Sequence, residues 1–310
     1  MSDMTLLVEP DKEFVETPYI QQITTRALNY IKAGFPIHFR GPAGTGKSTL
    51  AKHVASKLNR PTALLHGDEE ITSASLIGGE GGYRFKRVRD NFIASVLKEE
   101  ETMTKSWVDN RLTEACKHGY TLIYDEFTRS RPEANNALLS ILQDRILTLS
   151  NESYGGNPYI EVHPNFTAIF TSNPEEYAGT HKSQDALRDR MVTIDLEYPD
   201  YETELEIVYA KARMPMDVCE YITKIVRDLR ASGLCEFSPT IRAGIMIAKT
   251  LTVTGIEPED DIEMFATYCQ DILYSETSKL SNHSNQKEVK ELIVSLVQDH
   301  RPRQSRFLVS

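Results

Sequence analysis

One stretch, Gly41-Pro42-Ala43-Gly44-Thr45-Gly46-Lys47-Ser48, constrains this chain more than any other. It lies between a short apolar run ending at Phe39 and an amphipathic helical pattern from Ser48 to Leu58. That strand–loop–helix setting is what the glycine spacing needs before it carries meaning. Glycines let backbone N–H groups turn inward around phosphate oxygens, and the helix that follows adds the positive end of its dipole. Lys47 has the reach for β- and γ-phosphates, and the Ser48 hydroxyl suits Mg²⁺. Gly41, Pro42, Ala43, Gly44, Thr45, Gly46, Lys47 and Ser48, with the adjoining Thr49, form the candidate nucleotide-binding set, and ATP and Mg²⁺ are the expected ligands.

The surroundings of the loop predict an α/β protein. Four further strand candidates follow Pro36–Phe39: Thr62–His66, Thr121–Tyr124, Thr167–Thr171 and Val192–Asp195. Each is short and nearly continuous in apolar character, as expected for parallel strands covered on both faces. Arg131 to Gln143 reads as a helix with Pro132 in its first turn, and 88–117 reads as helical, with Trp107 as a packing residue. Around Gly155-Gly156-Asn157-Pro158, the runs Ile146–Leu149 and Tyr159–Val162 suggest an inserted β-hairpin at about 146–166. Beyond Tyr198-Pro199-Asp200 only helical patterns occur, at 201–212, 216–231, 239–252, 259–275 and 287–298, with a polar loop expected from Ser275 to Asn285. The expected division is a nucleotide-binding domain over 1–198 and a helical domain with a C-terminal tail over 199–310.

Charge and cysteine content narrow the class. A net charge of −10 argues against a nucleic-acid machine, which must present an excess of Lys and Arg to phosphate. The local clusters Arg84, Lys86, Arg87, Arg89 and Arg301, Arg303, Arg306 suit solvated surface or an acidic protein partner. The four cysteines are widely spaced and show no metal-ligand pairing, which points to free thiols in a reducing compartment. No apolar run is long enough to cross a bilayer, and the N-terminus lacks the pattern of a secretory signal. A cytosolic protein without a lipid-membrane partner is the expectation. His66, His118 and His163 lack metal-ligand spacing and read as core or surface residues.

Three more segments carry candidate chemistry. Leu122-Ile123-Tyr124-Asp125-Glu126 sets two acids at the end of an apolar strand, which is costly unless a cation offsets them. Such a pair alone reads more readily as a helix-capping turn; with a phosphate loop upstream, Asp125 suits Mg²⁺ and Glu126 suits a general base polarising water. Thr171-Ser172-Asn173-Pro174 closes the fourth strand, so Asn173 reaches the crevice edge that also receives Lys47 and Asp125, either as a water-orienting amide or as a turn former. Leu187-Arg188-Asp189-Arg190 precedes the fifth strand; its arginines serve a nucleotide in their own or a neighbouring subunit, or close a salt-bridged turn. No Asn-Lys-x-Asp guanine-reading segment is present, and a small-molecule kinase would not need the acidic pair.

Taken in order, these motifs resemble the AAA+ ATPases, specifically the MoxR-like branch, over about residues 17 to 255. Asp125-Glu126-Phe127-Thr128-Arg129-Ser130-Arg131-Pro132 followed by Asn135-Asn136-Ala137-Leu138-Leu139 is similar to that branch's signature after the acidic pair. With Gly78-Gly79-Glu80-Gly81-Gly82-Tyr83-Arg84, the pattern is most similar to ATPases of gas vesicle assembly. The resemblance implies strand order 5-1-4-3-2, a helical lid and a homo-oligomeric, hexameric ring. It also implies ATP-driven remodelling of gas vesicle shell or accessory proteins. Arg190 would be the finger acting across the subunit interface, Arg188 the second candidate, and Arg242 the lid arginine on the γ-phosphate. Residues near Pro18-Tyr19-Ile20 would line the adenine pocket. Leu76 to Phe85 would form a loop offering Tyr83 and Phe85 to a client in the ring pore, unless it is a surface hairpin. The rivals within this reading are a MoxR-like chaperone activating a metalloenzyme and a nucleotide-gated scaffold.

Overall fold

Short apolar strands buried on both faces build the main sheet. The computed structural model describes residues 13–90, 98–149, 158–174, 185–235, 237–277 and 283–301, with the backbone alone for 79–90, 98–108, 185, 275–277 and 283–286. In chain order come α1 (Pro18–Lys32), β1 (Ile37–Arg40), α2 (Lys47–Lys57), β2 (Thr62–His66) and α3 (Ser73–Ile77). A ribbon of β3 (Gly78–Asp90) and β4 (Lys98–Asp109) precedes α4 (Arg111–His118), β5 (Thr121–Asp125) and a 3-10 turn at Phe127–Arg129. Next are α5 (Pro132–Asp144), β6 (Ile146–Thr148), β7 (Tyr159–Glu161), β8 (Thr167–Ser172), α6 (Asp185–Arg188) and β9 (Val192–Asp195). The helices α7 (Tyr201–Ala212), α8 (Met216–Ala231), α9 (Ile241–Thr254), α10 (Ile262–Thr277) and α11 (His283–Asp299) follow.

Five strands form one parallel sheet in the order β2-β5-β8-β1-β9, which is the implied 5-1-4-3-2 counted from the other edge. Register puts Leu64, Ile123, Ile169, Ile37 and Val192 in one row, on the face where α2 packs. The next row, Leu65, Tyr124, Phe170, His38 and Thr193, turns to the opposite face. There Tyr124 and Phe170 join Phe127, Leu138 and Ile141 in a fully buried cluster. Parallel pairing with both faces covered explains why the strands are short and almost without polar alternation.

Two expectations need correction. Residues 88–117 are not one helix: Val88–Asp90 closes β3, Lys98–Asp109 forms β4, and only Arg111–His118 is helical. β3 and β4 pair antiparallel from Gly78 opposite Asp109 to Asp90 opposite Lys98, with a register shift between Glu80 and Tyr83. Of the two readings of 76–85, the antiparallel pairing agrees with the hairpin rather than the loop, since the stretch is the end of α3 and a ribbon strand; the side chains of Tyr83, Phe85 and Trp107 lie outside the described residues. Of the stretch 275–285, the described residues 275–277 and 283–285 are likewise helical, closing α10 at Thr277 and opening α11 at His283. β6 and β7 pair antiparallel, and the Gly155-Gly156-Asn157 turn expected between them lies outside the described residues.

By contacts, Thr24–Gly41 and Lys47–Leu196 form one compact unit, and the stretch ending at Ile23, Pro42–Gly46 and the chain from Glu197 form another. The second unit has its own core, centred on Ile222, Ile225, Leu229, Ile247, Phe265, Leu273 and Ile293. Cys116, Cys219 and Cys269 are buried free thiols, and Cys235 is half-buried. Among the described residues no helix is long and apolar enough to cross a membrane.

A buried charge organises the helical unit. The Glu204 side chain is 2% exposed and meets Arg230 Nη1 at 2.7 Å and Arg227 Nη1 at 3.2 Å. Arg230 also stacks 4.1 Å from the Tyr198 ring centre and donates to the Pro239 carbonyl at 2.9 Å, tying α7, α8 and the entry to α9 together. Glu204→Ala strands two partly buried guanidiniums, so unfolding free energy should fall by about 3 kcal/mol. Denaturant titration should show a lowered midpoint with an unchanged slope.

Candidate nucleotide site

The loop after β1 is shaped by positions where a side chain does not fit. A Cβ on Gly41 would lie 2.2 Å from the Leu196 carbonyl oxygen, while the Gly41 amide donates to Ser172 O at 3.3 Å. Gly44 and Gly46 take left-handed φ values of 75° and 82°. At Gly44 a Cβ would also come within 2.4 Å of the Thr240 side chain. Thr45 Oγ1 donates to Pro42 O at 3.0 Å and braces the turn. Lys47, buried at the start of α2, folds back across its own loop and donates from Nζ to Gly41 O at 2.8 Å. Ser48 follows on the same turn, while Ala43 and Thr49 are exposed.

Alternation along β5 turns Asp125 to the α2 face, where its Oδ1 accepts hydrogen bonds from Ser48 Oγ at 2.6 Å and from Thr171 Oγ1 on β8. With its proton committed to Asp125, Ser48 presents only lone pairs to the open side. One hydroxyl oxygen and one carboxylate form a hard-donor set that fits Mg²⁺, which keeps waters and phosphate oxygens in its remaining positions. Among the described residues no cluster of three or more His, Cys, Asp or Glu could hold a metal ion by itself.

Glu126 stands at the turn leaving the sheet, with left-handed φ 51° and ψ 41°. Its carboxylate accepts from Arg129 Nη1 at 2.8 Å and lies 3.9 Å from His66 Nε2; His66 Nδ1 lies 3.7 Å from Asp125 Oδ2. Its peptide is held by Thr171 Oγ1, which accepts the Glu126 amide at 2.9 Å, and by Arg129 N, which donates to Glu126 O at 3.0 Å. Gly67 closes the other side: its amide donates to Asp125 O at 2.7 Å, and a Cβ there would sit 2.0 Å from Glu126 O.

The structure thus draws Gly41, Lys47, Ser48, Asp125 and Glu126 to one end of the parallel strands, with buried Asn173 directly after β8. It does not bring Arg190 to them: that guanidinium donates to Gln143 Oε1 and to the Ala186 carbonyl. Arg188 is exposed at the end of α6, and Arg242 is exposed in the first turn of α9 in the helical unit. Thr171, Gly67, His66 and Arg129 were not legible as site residues. Thr171 had one signal: it lies two residues before Asn173 and shares the strand face of Ile169.

Under the sheet, His38 Nε2 lies 2.8 Å from Ser172 Oγ and Nδ1 lies 3.2 Å from Thr193 Oγ1, joining β8, β1 and β9 through side chains. Its ring meets Phe127 edge-on with centroids 5.2 Å apart. Burial, then the charges of Arg40 and Arg188, push its pKa down to about 3, with Asp195 opposing.

Fold and phosphate loop together define a P-loop ATPase of the AAA+ class, and residues 36–191 match the AAA domain (dynein-related subfamily). Among solved structures the RuvB Holliday junction branch migration motor of Thermotoga maritima superposes with a TM-score of 0.52 at 17% identity, over 86% of this chain and 73% of that one, a likeness of fold. The gas vesicle ATPase GvpN of Ancylobacter aquaticus is 48% identical over 270 residues, covering 87% of this chain and 75% of the relative. That of Haloferax mediterranei is 36% identical over 293 residues, covering 94% of this chain and 81% of the relative. The chain belongs to the GvpN family of ATPases.

The buried histidine makes a prediction about pH. Because the folded pKa of His38 is depressed to about 3 from an unfolded value near 6.5, the unfolded chain binds the extra proton between these values. Stability should therefore decline as pH falls from 6.5 toward 3, by up to about 1.4 kcal/mol per pH unit from this group. Denaturation curves of His38→Gln should show a shallower acid slope than the wild type; equal slopes would contradict the assignment.

Proposed function

We propose that this ATPase is a ring-forming remodelling factor for gas vesicle assembly, acting on shell or accessory proteins. The observation that carries the hydrolytic part is the shared carboxylate oxygen: Asp125 Oδ1 receives both the Ser48 and the Thr171 hydroxyl, with Glu126 next in the chain. The gas vesicle part is supported by the identity of 48% to a gas vesicle ATPase across most of the chain.

In this reading water attacks the γ-phosphate in line with the departing ADP oxygen. Glu126 orients and polarises that water once its carboxylate exchanges Arg129 for it. Lys47 shifts its ammonium from the Gly41 carbonyl to β- and γ-phosphate oxygens. Ser48, with Asp125 directly or through a water, would hold Mg²⁺, which offsets charge developing on the phosphates. Asn173 holds the water against the γ-phosphate, and Arg242 contacts that phosphate from the helical unit, which acts as a lid. Arg190 leaves Gln143 to serve a neighbouring subunit's site in a hexameric ring, with exposed Arg188 as the second candidate. Nucleic acid and lipid membrane have no part in this cycle.

Glu126→Gln should bind ATP as the wild type does and lose turnover by about a hundredfold or more. Arg190→Ala should bind ATP and fail to hydrolyse it, and wild-type specific activity should rise with protein concentration as rings assemble. Loss in Arg188→Ala alone would transfer the finger to that residue. Immobilised Glu126→Gln with ATP should retain purified gas vesicle shell or accessory proteins and release them without nucleotide. Equal retention in both states would overturn the remodelling reading.

A further inference from the structure

We propose that Thr171 is a positioning residue for ATP hydrolysis, setting both acidic side chains of the site through a single hydroxyl. Its oxygen accepts the Glu126 amide at 2.9 Å, and its proton goes to Asp125 Oδ1. The first bond fixes the second: an N–H can only donate, so the hydroxyl must turn its hydrogen toward the carboxylate. Thr171 is fully buried, and β5 and β8 are neighbouring strands, so neither contact can be replaced by water without opening the sheet.

Each bond acts on a different carboxylate. With Ser48 also donating to Oδ1, that oxygen of Asp125 is filled by two hydroxyls and the group cannot rotate, leaving Oδ2 on its far side toward His66. At Glu126 the left-handed backbone is held only by its surroundings, and the Thr171 hydroxyl is the partner of its amide. Losing that partner frees the peptide to relax toward a right-handed conformation, which would swing the Glu126 side chain away from the crevice. Asn173 follows directly after the same strand, so one segment of chain sets Asp125, Glu126 and Asn173.

This inference rests on Glu126 as the water-polarising group, and its test separates the two. Thr171→Val keeps shape and removes the hydroxyl; Thr171→Ser keeps the hydroxyl and removes a methyl. Steady-state ATPase assays and nucleotide titrations should show Thr171→Val losing kcat by about tenfold to a hundredfold with KM and nucleotide affinity within about twofold of wild type. Thr171→Ser should recover the larger part of that loss. Equal losses in the two variants would assign the effect to packing and overturn the proposal, as would a loss confined to KM. Should Thr171→Val not fold, Thr171→Ala against Thr171→Ser carries the same comparison. Wild-type turnover by Thr171→Val beside an inactive Glu126→Gln overturns the Thr171 role alone; wild-type turnover by Glu126→Gln overturns both.

Discussion

The structure hangs on one carboxylate oxygen, Oδ1 of Asp125, which takes a hydroxyl from the first turn of α2 and another from β8. Three pieces of chain far apart in sequence, the helix after the phosphate loop, the middle strand of the sheet and its neighbour, meet at that atom. A half-buried acid is stabilised where donors surround it, and here the donors are Ser48 at the start of α2 and Thr171 of β8. The parallel sheet makes the meeting possible, because it delivers the ends of β1, β5 and β8 to one edge.

Much of this was legible in residue order alone. The glycines of the phosphate loop, the five apolar runs and Asp125-Glu126 at a strand end are local patterns, and local patterns survive being read one window at a time. The ribbon was misread for the same reason. Residues 98–109, Lys-Glu-Glu-Glu-Thr-Met-Thr-Lys-Ser-Trp-Val-Asp, contain good helix formers, and what makes them a strand is pairing with β3. Register places Arg87 and Arg89 opposite Glu101 and Glu99, a pairing between segments that no single window contains.

Thr171 and Gly67 were hidden differently. Neither type announces chemistry, since Thr is common in strands and Gly in turns. Their importance comes from what lies across from them: the Glu126 amide for one and the Glu126 carbonyl for the other. His66 lacks metal-ligand spacing in the sequence, yet register brings it opposite Asp125 at the strand ends. Residues that position others are visible only once the fold supplies their neighbours.

With Glu126 in its proposed role, the left-handed backbone there sets folding against activity at a single codon. Most side chains at such a φ cost about 1–2 kcal/mol relative to glycine, so a library sorted only for heat resistance would drift to Gly or Asn there. Such winners would keep the sheet, the loop and the helical unit, and would lose the carboxylate proposed to polarise the attacking water. Stability screens of this family therefore need a turnover filter at that site, because thermal robustness and enzymatic competence pull in opposite directions there.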